Sequence, residues 1–136
     1  DYLGTMTTKL TLSTSKEGFF PITRAIQELI TREQVGEGIC LVFCPHTTAG
    51  ITINEHADRD VVHDMLIGLG SIVTEDSRFR HAEGNSTAHL KASLVGSSVM
   101  VPIAQGRLVL GTWQGIWFCE FDGPRERAYL CTIIRG

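Results

Sequence analysis

From Thr5 to Ser13 the apolar residues Met6, Leu10 and Leu12 alternate with Thr and Lys, the period-two pattern of a strand with one buried face. Pro21 suits the first turn of a helix, and Ile22, Ala25, Ile26, Leu29 and Ile30 then follow amphipathic-helix spacing until Gly36 and Gly38. Ile39 to Cys44 is short and continuously apolar, which predicts a strand buried on both faces, stopped by Pro45 ahead of the polar turn His46, Thr47, Thr48. A short strand, Ile51 to Ile53, comes next. Asn54 is placed to cap a helix whose buried stripe is Ala57, Val61, Val62, Met65, Leu66 and Leu69. Residues 71–87 lack apolar periodicity and predict an extended loop, long enough to carry a function. Beyond it, Asn85 or Ser86 caps a short third helix through Ala88, Ala92 and Val95. Ser98–Ile103, Arg107–Leu110, Gly115–Phe121 and Arg127–Ile134 then predict four closely spaced antiparallel strands. The order gives an α+β class: a mixed, mainly antiparallel sheet layered with two main helices. A doubly wound sheet is disfavoured because the second half lacks alternating helices.

Composition narrows the function rather than the fold. A chain of 136 residues, 43% apolar and 20% charged, suits one domain over residues 1–136. A formal net charge of -3 supplies no global positive field, so neither nucleic acid nor an anionic membrane is the expected partner. No apolar run approaches the roughly 20 residues that span a bilayer, and the first residues are Thr-rich rather than a basic leader, so the expectation is cytoplasmic. Cys40, Cys44, Cys119 and Cys131 lie inside apolar runs without a CxxC pair. Cys40 and Cys44 stand about 13 Å apart on one strand, too far to bridge, so reduced core thiols are expected.

Three polar clusters interrupt the core pattern. In Cys44–Asp58, His46 leaves a buried strand where its side chain is held rigidly, while Thr47 and Thr48 either bind an anion or satisfy their own turn. Glu55 and Asp58, three apart at the expected helix start, either hold a divalent cation, divide acid and base roles, or simply complement the helix dipole. In His81–His89, Glu83, Asn85 and Ser86 lie between two histidines, Gly84 permits a tight turn, and the free amides of a helix start suit phosphate. His46, His81 and His89 form a zinc-type ligand set, with phosphate contact and proton transfer as the alternatives. In Gly111–Arg127, Trp113 and Gln114 can present a ring face and an amide to a substrate. Arg125, after Gly123 and Pro124, is either a phosphate clamp or half of a structural salt bridge.

The strings HTTAGITINEHAD, HAEGNSTAHLKASLVGSS, GTWQGI and EFDGPRER, in this order and over nearly the whole chain, resemble the YjbQ-like family. That resemblance implies an α+β fold assembled as a homotrimer with sites near subunit boundaries. It also implies a secondary thiamine-phosphate synthase activity, joining a pyrimidine diphosphate to a thiazole phosphate with release of pyrophosphate. Glu55, Asp58 and Glu83 would then hold magnesium on the diphosphate, Arg125 and the helix-start amides would neutralise the leaving group, and Trp113 would stack on a ring. His56 stands where the family often has Asn, and Phe79 where a Tyr commonly precedes HxEGN. Two other functions fit the residues: a metal-dependent hydrolase with a three-His site, and a non-catalytic module that binds a small phosphorylated molecule.

Overall fold

A computed structural model describes residues 4–136. The elements run β1 (Thr5–Thr14), β2 (Gly18–Pro21), α1 (Thr23–Arg32), β3 (Gly38–Phe43), β4 (Ala49–Glu55), α2 (Arg59–Ile72), α3 (Ser86–Val95), β5 (Ser98–Ala104), β6 (Arg107–Leu108), β7 (Gln114–Glu120) and β8 (Arg125–Arg135). Two sheets form, one of five strands in the order β1-β8-β3-β5-β6 and one of three in the order β2-β7-β4. Every strand pair described is antiparallel, which confirms the α+β class. No helix among the described residues is long and apolar enough to cross a membrane.

The layers follow from the period of β7. Ile116 and Phe118 on one face join Ile26, Leu29 and Ile30 of α1, and Val42, Val101, Tyr129 and Ile133 of the larger sheet, in the main core. Cys119, on the other face, joins Phe19, Phe121, Ala88 and Ala92 in a second core, covered by Val62, Met65, Leu66 and Leu69 of α2. A strand covered on both sides must be apolar at nearly every position, and that is why Ile116–Phe121 is apolar at all but one position. Glu120 is the exception to it. All four cysteines are buried free thiols.

Several expectations need correction. The helix expected from Asn54 starts at Arg59, because pairing with β7 carries β4 through Glu55, opposite Gln114, and Asp58 then caps the helix by accepting the Asp60 N–H at 2.9 Å. Ala57 falls outside that helix and is exposed. Pro21 ends β2 instead of opening α1; β2 is an edge strand, where a missing N–H is tolerated. Ala25 faces solvent while Ile22, Ile26, Leu29 and Ile30 carry the buried stripe. The third helix, expected to be short, has 10 residues, as many as α1. Finally, β3 is buried on one face only: Cys40 and Val42 point into the core, whereas Ile39 and Phe43 are exposed on an uncovered sheet face.

Candidate functional site

The strand β3 stops where Pro45 removes a ladder donor. Its register with β8 pairs Phe43 with Leu130, so Ala128 would face Pro45, and the His46 imidazole takes the missing strand's place. Nε2 lies 3.0 Å from both the amide and the carbonyl of Ala128, which fixes the ring in either tautomer and leaves Nδ1 as its remaining polar atom. Burial, reinforced by the nearby Arg127 guanidinium, pushes the His46 pKa below its ordinary value. The ring is therefore neutral at pH 7.

Beneath this turn lies a buried ion pair. Arg127 meets Glu120 through Nε at 2.7 Å and Nη2 at 2.5 Å, and the two side chains are only 4% and 0% exposed. Thr14 Oγ1 donates to Glu120 at 2.7 Å, and the Asp122 amide donates to its other oxygen at 2.9 Å. Burial raises the Glu120 pKa, but these hydrogen bonds outweigh it and hold the carboxyl below its usual range. Arg127 Nη2 also donates to Thr48 Oγ1 at 2.8 Å, so the pair braces the turn that carries His46. Gly123 is required beside it, since a Cβ there would lie 2.9 Å from Glu120 Cγ and 3.0 Å from Thr14 Oγ1.

Around the turn opens a cleft of about 400 Å³ lined by His46, Thr47, Thr48, His81, Glu83, Asn85, His89, Arg125 and Arg127, with Pro45 at its edge. The segment before α3 closes one side. His81 Nε2 stands 4.0 Å from a Glu83 oxygen, and the His81 and His89 rings lie edge to face with centroids 5.2 Å apart. Asn85 precedes α3 but does not cap it; its Nδ2 donates to Asp122 at 2.8 Å, which leaves the first-turn amides without a side-chain acceptor. That hydrogen bond is the main cause of Asp122's lowered pKa, aided by Arg125. Arg125 binds Asp122 through Nη2 at 2.8 Å, so the structural salt bridge does form, yet its guanidinium also lines the cleft. Ser86 opens α3 without lining the cleft.

The remaining candidates sit elsewhere. The β4–β7 register places Ala49 opposite Glu120 at the cleft and Glu55 opposite Gln114 at the far end, about 20 Å away at the usual rise per residue. Glu55 accepts the Asp58 N–H, Trp113 is 62% exposed, and Gln114 is occupied by the Gly111 N–H at 2.8 Å. Within one chain Glu55 and Asp58 therefore cannot share an ion with Glu83, and Trp113 cannot stack on a ligand in the His cleft. His56 lies over Gly115 at that same far end, and Phe79 is half-exposed in the loop before His81.

The metal expectations divide. Magnesium through those three carboxylates does not fit one chain. The three imidazoles are zinc-type donors on a single cleft, but among the described residues no three His, Cys, Asp or Glu side chains converge as a ligand set.

Glu120, Arg127, Thr14 and Asp122 were not legible as site residues. A signal did exist: a lone Glu within the apolar run from Ile116 to Phe121 must find a buried cation, and GPRER supplies the nearest. One pH dependence follows. An unfolded imidazole titrates near 6.5 and folded His46 lower, so between those values the unfolded chain takes up the proton and stability falls as pH falls. Thermal melts of the native protein should drop between about pH 7.5 and pH 5.5, and His46→Gln should flatten that part of the slope; an unchanged slope would mean that His46 does not cause it.

The chain matches the family model described as UPF0047 protein YjbQ-like over residues 8–136. It is 50% identical to the UPF0047 protein YugU of Bacillus subtilis over 116 residues, covering 85% of this chain and 88% of that one. The UPF0047 protein of Archaeoglobus fulgidus is 41% identical over 129 residues, covering 93% and 99%. The fold is similar to the crystal structure of a YjbQ/UPF0047 family protein from Clostridium acetobutylicum, with a TM-score of 0.90, 49% identity and coverage of 93% and 99%. It also matches a YbjQ-like protein from Sulfolobus solfataricus, with a TM-score of 0.91, 32% identity and coverage of 97% and 98%. Sequence and architecture thus agree over nearly the full length, and the chain belongs to the YjbQ-like UPF0047 family.

Proposed function

We propose that the His46 cleft is an active site for a small phosphorylated molecule, and that its reaction is a transfer of the thiamine-phosphate synthase type. The observation that carries this reading is the lining: three imidazoles and the guanidinium groups of Arg125 and Arg127, each paired with a carboxylate behind it, surround a hollow beside the uncapped start of α3, into which Glu83 brings the only carboxylate among the described residues. A bound phosphate ester would meet donors on three sides.

In the proposed reaction the methylene carbon of a pyrimidine diphosphate loses its bond to the diphosphate oxygen and gains one to the thiazole nitrogen. The electron pair of the broken bond leaves with pyrophosphate. Arg125 and the His81 ring donate to the oxygens of that leaving group as its charge develops, and the α3 amides orient it. His46, neutral and pinned by Ala128, keeps a fixed polar edge in the cleft without adding a charge. Thr47 and Asn85 position the phosphate oxygens.

We also propose a homotrimer, as the family resemblance implies. Support for an interface comes from the uncovered face of the larger sheet, where Ile39, Phe43, Met100 and Ile134 are exposed. We propose a cytoplasmic protein; the net charge of -3 fits one with neither nucleic acid nor an anionic membrane as partner.

The experiment is a pyrophosphate-release assay with both substrates and magnesium, on native protein and on His81→Ala. Turnover that falls about a hundredfold or more in the variant supports the transferase. Ligand-dependent stabilisation with no turnover makes the protein a binding module. Stoichiometric zinc in protein purified without added metal, lost in His46→Ala, His81→Ala and His89→Ala alike, replaces the transferase with a metal-dependent hydrolase.

A further inference from the structure

The end of the β4–β7 ribbon away from His46 has a cavity of its own. It holds about 520 Å³, and its floor is Leu108, Leu110 and Ile116, which pack on the main core. Around the mouth stand Arg24 and Glu28 of α1, Arg107 of β6, and His56.

Local contacts build this opening. Gln27 of α1 accepts the Leu108 N–H at 3.0 Å and donates to the Gly106 carbonyl at 2.9 Å, so it grips the chain on both sides of Arg107. That fixes Arg107 beside the helix that carries Arg24. On the other wall Gly115 has no Cβ, and one placed there would lie 2.8 Å from the Cβ of His56. The absent side chain lets His56 lie against β7 at the cavity.

The charges at the mouth are not matched. Arg24 and Arg107 have no carboxylate within ion-pair distance among the described residues, although Glu28 lies one helical turn from Arg24. Gln114 accepts the Gly111 N–H through Oε1, which leaves its Nε2 as a donor. Trp117, also on the wall, holds a buried Nε1 with no acceptor among the described residues. The unmet demand is for a negatively charged acceptor, next to an apolar floor.

We propose that this cavity is a second ligand site, separate from the His46 cleft, and that it takes a monocarboxylate with an apolar body. The two guanidinium groups receive the carboxylate at the mouth, and the body displaces water from the leucine and isoleucine side chains below. Glu28 on the same rim sets the charge of the ligand, because it repels the second negative charge that a phosphate brings and a carboxylate lacks. The site does not depend on what the His46 cleft binds.

The test is an amide-resolved NMR titration of the native protein with hexanoate, acetate and hexanol. Hexanoate should shift the amides of residues 23–28, 107–111 and 114–117. It should bind at least about tenfold more tightly than acetate, which lacks the body, and than hexanol, which lacks the charge. Arg24→Gln and Arg107→Gln, both at exposed positions, should each weaken hexanoate about tenfold while the rest of the spectrum stays native. Hexanol binding as tightly as hexanoate, or hexanoate affinity unchanged in both variants, overturns the carboxylate class. Inorganic pyrophosphate shifting the same amides as strongly overturns it too. Absence of hexanoate shifts at those residues overturns the site itself and leaves the His46 cleft standing.

Discussion

Glu120→Ala is expected to destabilise the protein by about 3–5 kcal/mol, lowering the melting temperature by roughly 10–20 °C. The size follows from the geometry: the Arg127 guanidinium is almost completely enclosed, and without Glu120 its charge is left with Thr48 and no hydrogen-bonded counter-ion. Arg127→Met should do similar damage from the other side, because it strands a carboxylate between the two sheets. Replacing both at once, Glu120→Met with Arg127→Leu, should recover most of the stability, since a buried pair is often no better than a well-packed apolar one. The double variant should still lose ligand binding, because nothing then braces Thr48 and the His46 turn. Thermal melts and pyrophosphate titrations on the four proteins separate the two effects. A fully stable single variant would mean that the pair is not buried as described.

Arg125→Ala should weaken pyrophosphate binding about ten- to a hundredfold, the range for losing a charge-assisted hydrogen bond. Its effect on stability should be small, since the Arg125–Asp122 bridge is half-exposed and such bridges contribute little. Glu55→Gln and Asp58→Asn are the controls. They sit at the far end of β4 and α2, and in a single chain they should leave that affinity within about twofold of native. If the carboxylate variants weaken binding as much as Arg125→Ala, the two ends of the β4–β7 ribbon meet in one site, which requires a neighbouring subunit.

Much of this architecture was legible in the sequence because periodicity reports burial. The alternation from Thr5 onward, the α1 stripe and the short apolar runs each mark which side of an element meets the core. The errors arose where pairing overrode local pattern. Glu55 looks like a first-turn helix acid until β7 extends β4 past it, and Pro21 looks like a helix opener until Trp117 pairs with it in an edge strand. Clustering along the chain found His46, Thr47, Thr48, His81, Glu83, Asn85, His89 and Arg125, which the fold brings to one cleft. Clustering also gathered Glu55, Asp58, Trp113 and Gln114, because proximity in sequence does not reveal that a strand will carry one end of a motif far from the other. The Glu120–Arg127 pair went unseen as a site element for a related reason: its meaning lies in two facing sheets, and one strand's pattern shows only half of it.

The most direct test is an amide-resolved NMR titration of the native protein with inorganic pyrophosphate. The cleft reading predicts shifts confined to residues 46–48, 81–89 and 122–128, with the largest at the α3 start and at Ala128, whose peptide touches His46. Shifts centred instead on residues 54–58 and 111–115, with the His46 turn unmoved, would contradict it and place phosphate recognition at the opposite end of the sheet.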